Sequence, residues 1–594
     1  MLGAPALPRS RRNARGSSAG CVKMRLARGP AMTRSFDSDD RNVVTAPNGA
    51  RVHRDHLAQS AVIARELYQV RPGVHCLVGN GLSNQTFIDA PDGVIAIDTG
   101  ESVEEMAAAL RELRELNGRP IAAVVYSHFH YVEGTRAILD EGNCADPLPV
   151  YGHPRIAVNK ARTSGEIAPA YGRGIVEQFA VVMPTEGADG AVNVGLGFHF
   201  RNPEHAPFTP GYIPVTRELP DEGTLAIAGL DFIAKHSPSD SDDSVNLFCP
   251  ELDLCLHNTV WPALFNVFAI RGEEYRDPRV LIPGIETIIA WAPQHLIATH
   301  GPPLVGRASI VQKCERYRDS IQFLWDQTVR GINKGWTMDE IATRVRLPEL
   351  YDQDYLTSER YGVAEHHVRQ IFTGLRGWFD GEESKLFPLE PAERFARLIA
   401  GFGGRAEVAE QANAALADDD VRWGTELATW LVRSRGATDA DRELLARALR
   451  LVARRTPAAN VRNWAITRAR HLDRSTPMDR LYGHGFSQRG MAHASATGLV
   501  HTLRVLLDPA KAAGVNAHAK FAIDGETAGL HVRNCVAVPT DGAGASGTAS
   551  MSRSTLLAIL SGKLRWPEAK IEVSGDASAV DAVRRCFEHA AISS

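Results

Sequence analysis

None of the eight cysteines stands in a Cys-x-x-Cys pair; they are scattered at positions 21, 76, 144, 249, 255, 314, 535 and 586. That excludes a disulfide framework and points to reduced, mostly buried thiols in a chain of this length. No cysteine sits beside the histidine clusters in a nucleophile setting, so thiol chemistry is not expected. No apolar stretch approaches the length of a membrane-spanning helix. The formal net charge is only -4, so no global field draws the chain to nucleic acid or an anionic membrane. Acids are missing from residues 1–36, which hold eight Lys/Arg. No sustained apolar core follows this basic stretch, which argues against a secretory signal. It reads as a disordered tail, and a cytoplasmic location is expected. No internal repeat is visible.

What is present is ordinary globular sequence: 44% apolar and 23% charged residues, in 594 residues that exceed what one core can serve. Gly93-Val-Ile-Ala-Ile-Asp98 reads as a buried strand, residues 101–117 as a helix capped by Ser102, and Ile121-Ala-Ala-Val-Val-Tyr126 as a second buried strand. This β-α-β order predicts an α/β layer fold. Later strands are expected at Leu252–Leu256 and before His300. Helical periodicity appears at 310–335, 355–380 and through 405–455. After about 485 a short helix, two strands, a Gly/Ala/Ser loop, a helix at 554–561 and a strand near Ile571–Val573 form a small α+β unit.

Chemistry gathers where strands end. His128 and His130 lie two residues apart just past a strand, so both imidazoles can turn to one point, and neutral imidazole is a common zinc ligand. The run Ser237-Pro-Ser-Asp240-Ser-Asp242-Asp243 reads either as a solvated acidic turn or as a ligand loop feeding a strand. His300, between a strand and Gly301-Pro-Pro303, suits either a ligand or a turn cap.

Taken together, these elements resemble the metallo-β-lactamase superfamily and, within it, the alkylsulfatase family. The likeness spans about residues 40–594. It includes Leu82-Ser-Asn84, Phe265-Asn266 through Arg271 to Arg276-Asp277, Gly377-Trp-Phe-Asp-Gly381 and Gly403-Gly404. The resemblance implies a basic disordered tail over 1–40, and a metallo-β-lactamase-like αββα sandwich over 41–325. It further implies an all-α dimerisation domain over 326–475, and an α+β domain like sterol carrier protein 2 over 480–594.

The superfamily motif is His-x-His-x-Asp-His. His128 and His130 match its first two ligands, Asp240 the loop ligand and His300 the last. Val132 replaces the motif aspartate and Glu133 the following histidine; Asn258 falls where the family has a bridging glutamate. The resemblance therefore implies one firm Zn²⁺ site at His128, His130 and Asp240. The second site is expected to be altered or absent; if altered, it would draw on Glu133 and His300, with His257, Asp242 or Asp243 as helpers. Donors without thiols suit Mn²⁺ or Fe²⁺ as well. Glu133 or Asp243 is expected to accept a proton. Arg271 matches a family arginine suited to sulfate-like oxyanions, or else pairs with Glu273, Glu274 or Asp277. Asn84 is expected to orient substrate or backbone.

The implied function is a metal-dependent hydrolase, acting in a homodimer on an ester of an apolar alcohol, with an alkyl sulfate favoured and metal-activated water as nucleophile. The alternatives are a hydrolase of another ester or a lactone, and a non-catalytic lipid-binding dimer with a decayed metal site.

Overall fold

The computed structural model describes residues 35–478 and 486–594. Most of the segment read as a basic tail, residues 1–34, lies outside these. Its end does not trail free. Ser35 Oγ donates to Glu359, and Asp40 pairs with Arg454 and Arg455.

Two sheets face each other. The first has seven strands in spatial order Glu66–Arg71, Val74–Val78, Gln85–Ala90, Gly93–Ile97, Ile121–Val125, Val150–Gly152 and Arg217–Glu218. The second has six, in order Glu222–Ile227, Leu230–His236, Val245–Cys249, Leu254–His257, His295–Ala298 and Leu304–Val305. The pairs Gly93–Ile97 with Ile121–Val125 and Leu254–His257 with His295–Ala298 are parallel, each joined through a crossover helix. Val74, Ile88, Ile95 and Val125 of the first sheet pack against Phe232, Leu247, Leu254 and Ile297 of the second. Burying each such side chain is worth about 1.5–3 kcal/mol, and this layer fixes how the strand ends of both sheets meet.

Helices cover the outer faces. Val103–Leu116 packs Met106, Ala109, Leu110 and Leu113 onto the first sheet. Ser102 caps it, accepting from the Glu105 amide at 3.2 Å. Pro278–Trp291 and Arg307–Asn333 cover the second sheet. From there one apolar cluster runs on into Arg405–Ala417, Val421–Arg433, Asp439–Arg455 and Ala459–Leu472. The helix expected over 355–380 is shorter, Ala364–Arg376. Ahead of it the chain buries Tyr361 in irregular backbone.

The C-terminal unit is a five-stranded sheet in order Val536–Thr540, Glu526–Arg533, Ala517–Ile523, Gly547–Met551 and Glu572–Gly575. Helices Ala496–Thr502, Arg553–Leu560 and Ala577–Arg585 close its core. No helix among the described residues is long and apolar enough to cross a membrane.

One buried carboxyl matters for stability. Glu105 lies against Gly81 and Gly100, where a Cβ would meet its carboxyl at 2.1 and 2.2 Å. Gln85 and the Glu101 amide donate to it. Burial, then the neighbouring Glu101, pushes its pKa up to about 8. The unfolded chain therefore gives up this proton near pH 4.5, the folded chain only near 8. Its contribution to stability is full below about pH 4.5 and falls as pH rises through 8, by at most about 1.4 kcal/mol per pH unit. Urea unfolding between pH 5 and 8 should show this slope in the wild type and a flatter one in Glu105→Gln.

Candidate metal centre and its cavity

The strand Ile121–Val125 delivers the first two donors. Beyond it the turn is pinned to the neighbouring strand end: Thr99 donates to the Tyr131 carbonyl at 2.8 Å and Glu133 to the Gly100 carbonyl at 3.0 Å. Asp98, in left-handed backbone at φ 53°, turns its carboxylate under the turn. It accepts from the Ser127 amide at 2.8 Å and from Ser127 Oγ at 2.7 Å. Ser127 Oγ in turn lies 2.8 Å from His128 Nδ1. Because the hydroxyl proton is given to Asp98, Oγ accepts from Nδ1–H. That selects the His128 tautomer whose Nε2 lone pair points outward. Burial pushes the His128 pKa down to about 3, so the ring is the neutral form a metal requires.

The third donor comes from the loop joining Leu230–His236 to Val245–Cys249. The loop is closed by Ser237 N–H on the Ser244 carbonyl at 2.9 Å and Ser239 Oγ on Ser244 Oγ at 2.8 Å. His236 Nε2 sits 2.7 Å from the Asp242 carbonyl, and Arg276 Nε donates to the Asp240 carbonyl at 3.2 Å. The acidic run is thus a built loop, not a solvated turn.

His128 Nε2, His130 Nδ1 and Asp240 Oδ2 converge, with separations of 3.2 Å between the nitrogens and 2.9 and 3.7 Å from them to the oxygen. A tetrahedral ion with bonds near 2.0–2.1 Å has ligand-to-ligand edges of about 3.3 Å. The three atoms therefore fit one divalent ion and leave its fourth position open. Although burial raises the Asp240 pKa, His128, His130 and Arg276 overcome it and hold the carboxyl well below its usual range.

The other sequence candidates stand apart from this triangle. Glu133 pairs with Lys160 and, at 2.6 Å, with His493. His300 is occupied at both nitrogens, Nδ1 at 2.9 Å from the Leu82 carbonyl and Nε2 at 3.3 Å from the Tyr131 hydroxyl. Asn258 turns its amide N–H to Asp240 Oδ1 at 2.7 Å, supporting the first site rather than bridging to a second. His257 Nδ1 accepts from the Thr259 and Val260 amides, and Asp242 pairs with Arg155. Asp243 Oδ1 accepts from Ser241 within its own loop, and burial pushes its pKa up to about 6. Asn84 binds backbone rather than facing the cavity. It donates to the Ala298 and Gly301 carbonyls, both at 2.8 Å, and so holds the His300 turn. The physical reason is the same throughout: each group already has a protein partner at hydrogen-bond distance.

A cavity of about 750 Å³ opens on His130 and Asp240. Arg271, Arg276 and Glu101 also line it, together with Glu133, Lys160, Arg201 and Arg489; its apolar lining includes Ile175, Phe179, Leu196, Phe198, Phe200 and Phe208. Of the two readings of Arg271, the ion pair is present: Nη2 pairs with Glu273 at 2.8 Å and Nη1 donates to Tyr171; the residue also lines the cavity. Arg276 and Glu101 were missed from sequence. Arg276 stands in the quoted family stretch, and Glu101 follows the strand-end Asp98 by three positions, but neither residue's direction is coded locally.

Residues 78–131 match the family model for the metallo-β-lactamase superfamily, and residues 337–475 that for alkyl sulfatase dimerisation. A linear primary-alkylsulfatase from Pseudomonas sp. is 32% identical over 392 residues, 65% of this chain and 73% of the relative. The chain belongs to the alkylsulfatase family. An (R)-specific secondary-alkylsulfatase from Pseudomonas sp. is 28% identical over 546 residues, 88% of this chain and 80% of the relative. The solved structure of the inverting sec-alkylsulfatase Pisa1 from Pseudomonas sp. superposes with a TM-score of 0.80 at 24% identity, covering 91% of this chain and 88% of that one. It shares the fold. Membership of the metallo-β-lactamase superfamily implies a divalent metal, and His128, His130 and Asp240, whose donor atoms lie within 4.8 Å of one another, form a candidate group at this cavity, with His130 and Asp240 lining it.

Proposed function

We propose that this alkylsulfatase-family protein hydrolyses the sulfate ester of an apolar alcohol, using one Zn²⁺ held by His128, His130 and Asp240. The observation that carries this reading is a cavity, lined in large part by apolar side chains, that also takes in His130 and Asp240 of the three-donor triangle and the buried Arg271 guanidinium. One ion held there supplies Lewis-acid charge and acidifies water. Arg271, fixed by Glu273 and Tyr171, offers a planar fork to the sulfate oxygens. The phenylalanines exclude water and take the alkyl chain. Glu133 is a poor proton acceptor, since Lys160 and His493 outweigh burial and hold it down to about 2. Glu101 is better suited. Burial raises its pKa, Arg201 is 3.5 Å away, and the Gly100–Val132 bridge sets it beside the lost motif position. Its carboxylate receives the proton of the attacking water.

The zinc assignment, the single ion and a homodimer formed through residues 337–475 belong to the same proposal. Its test is sulfate release from dodecyl sulfate, read by ion chromatography. Chelation should abolish release, and one equivalent of Zn²⁺ should restore it. Full restoration only above two equivalents would refute the single-ion reading, and no release by the loaded protein would refute the sulfatase reading.

A further inference from the structure

Glu133 stands where the superfamily motif carries a metal-binding histidine, yet its carboxylate reaches across to the C-terminal unit. Oε1 meets His493 Nε2 at 2.6 Å and also Lys160 Nζ, while Oε2 accepts from the Tyr212 amide at 3.3 Å. The His493 ring rests edge-on against Tyr212, with centroids 5.7 Å apart. Both Glu133 and Lys160 are shut from solvent, so the contact is not a screened surface pair.

A second fastening lies nearby. Arg489 donates to the Phe208 carbonyl and covers the Phe208 ring at 5.8 Å. Phe208 adopts φ 64°, a left-handed conformation that a bulky residue holds only when its surroundings impose it. Ser487, Arg489, Gly490 and His493 all line the cavity, and so does Phe208. Arg553 ties this segment back to its own unit through the Ala492 and Ala494 carbonyls, both at 2.8 Å. Ala168 of the cavity-lining helix Ala168–Gln178 is also buried in the C-terminal core, and Arg504 pairs with Glu166. The C-terminal unit therefore touches two cavity-lining elements, the helix Ala168–Gln178 and Phe208.

We propose that Glu133 is an interdomain latch in place of a metal ligand, and that the segment it seats, residues 487–493, is the cavity wall that sets the alkyl chain length accepted. The inference rests on the proposed binding of alkyl sulfates. Glu133 and His493 act as positioning residues: they hold Arg489, and through it Phe208, against the chain. A longer chain buries more methylenes against this wall, so a loosened wall is felt in proportion to length.

The test uses the full-length protein and isothermal titration with hexane-1-sulfonate and dodecane-1-sulfonate, which present the oxyanion and the chain without a hydrolysable ester. In His493→Ala the ratio of dodecyl to hexyl affinity should fall at least about tenfold, with zinc content unchanged. Arg489→Ala should shift the ratio the same way. Hydrogen exchange across 487–493 should quicken in His493→Ala. An unchanged ratio in both variants overturns the wall, as does failure of the wild type to bind either sulfonate. A length-dependent wild type that releases no sulfate from dodecyl sulfate refutes the hydrolase reading and leaves the wall standing.

Discussion

His128→Ala should cut sulfate release from dodecyl sulfate by at least about a thousandfold, because catalysis at such a site depends on the ion itself. The triangle has three protein donors, and among the described residues no fourth stands ready: His300, His257 and Glu133 each hold a partner elsewhere, and Asn258 points its amide N–H at Asp240. Removing one donor leaves His130 and Asp240, and bound zinc per chain should drop well below one. Metal analysis therefore separates this outcome from a merely misaligned site. Ser127→Ala offers the graded comparison. It takes away the hydroxyl that accepts from His128 Nδ1 and donates to Asp98, so the imidazole loses its fixed tautomer while all three donors remain. A loss of about 10- to 100-fold in affinity or activity is usual for such an orienting partner. Equal turnover by wild type and His128→Ala would place the reaction elsewhere in the molecule.

These residues also show what a sequence discloses and what it hides. His128 and His130 were legible because donor type and spacing act locally: two imidazoles two residues apart, past a run of five apolar residues, share one direction. Asp240 was legible as a ligand only through the family resemblance and its order of elements; its own loop read more readily as a solvated turn. The α/β character followed from buried strands alternating with an amphipathic helix, since such patterns are properties of neighbouring residues; the two-sheet sandwich came only through the family resemblance. Glu133 was misread because its partners arrive from a separate helix and from the far side of the helical region. No local pattern announces Lys160 or His493. Asn84 shows the same limit. Its bonds to the Ala298 and Gly301 carbonyls depend on how two sheets meet. The departures at Val132 and Glu133 were visible at once, but their consequence was not. A lost ligand position need not decay; it can be taken over by a contact that the sequence does not display.

Arg271→Ala should damage both stability and activity, and the two losses can be pulled apart. The Arg271 and Glu273 side chains are 8% and 3% exposed, so the pair is a buried one. Deleting the guanidinium takes the nearer partner from a carboxylate whose pKa the arginine holds down against burial, leaving it only Arg162 at 3.6 Å. Leaving a buried charge wholly uncompensated typically costs about 3–5 kcal/mol; with Arg162 still in reach, urea unfolding should show a loss towards or below the low end of that range. Arg271→Met with Glu273→Gln removes both charges together and should recover most of the stability. It should not recover activity. If the guanidinium fork receives the sulfate, its loss removes charge-assisted hydrogen bonds to an oxyanion, worth about 10²–10³-fold in rate at comparable sites. Arg271→Lys keeps the charge beside Glu273 but not the planar fork, so it should unfold much like the wild type while turning over dodecyl sulfate poorly. A double variant that regains stability and activity together would show Arg271 to be a structural partner of Glu273, and would move oxyanion recognition to the neighbouring Arg276. That guanidinium already faces the cavity and donates Nε to the Asp240 carbonyl and Nη1 to the Asn266 carbonyl.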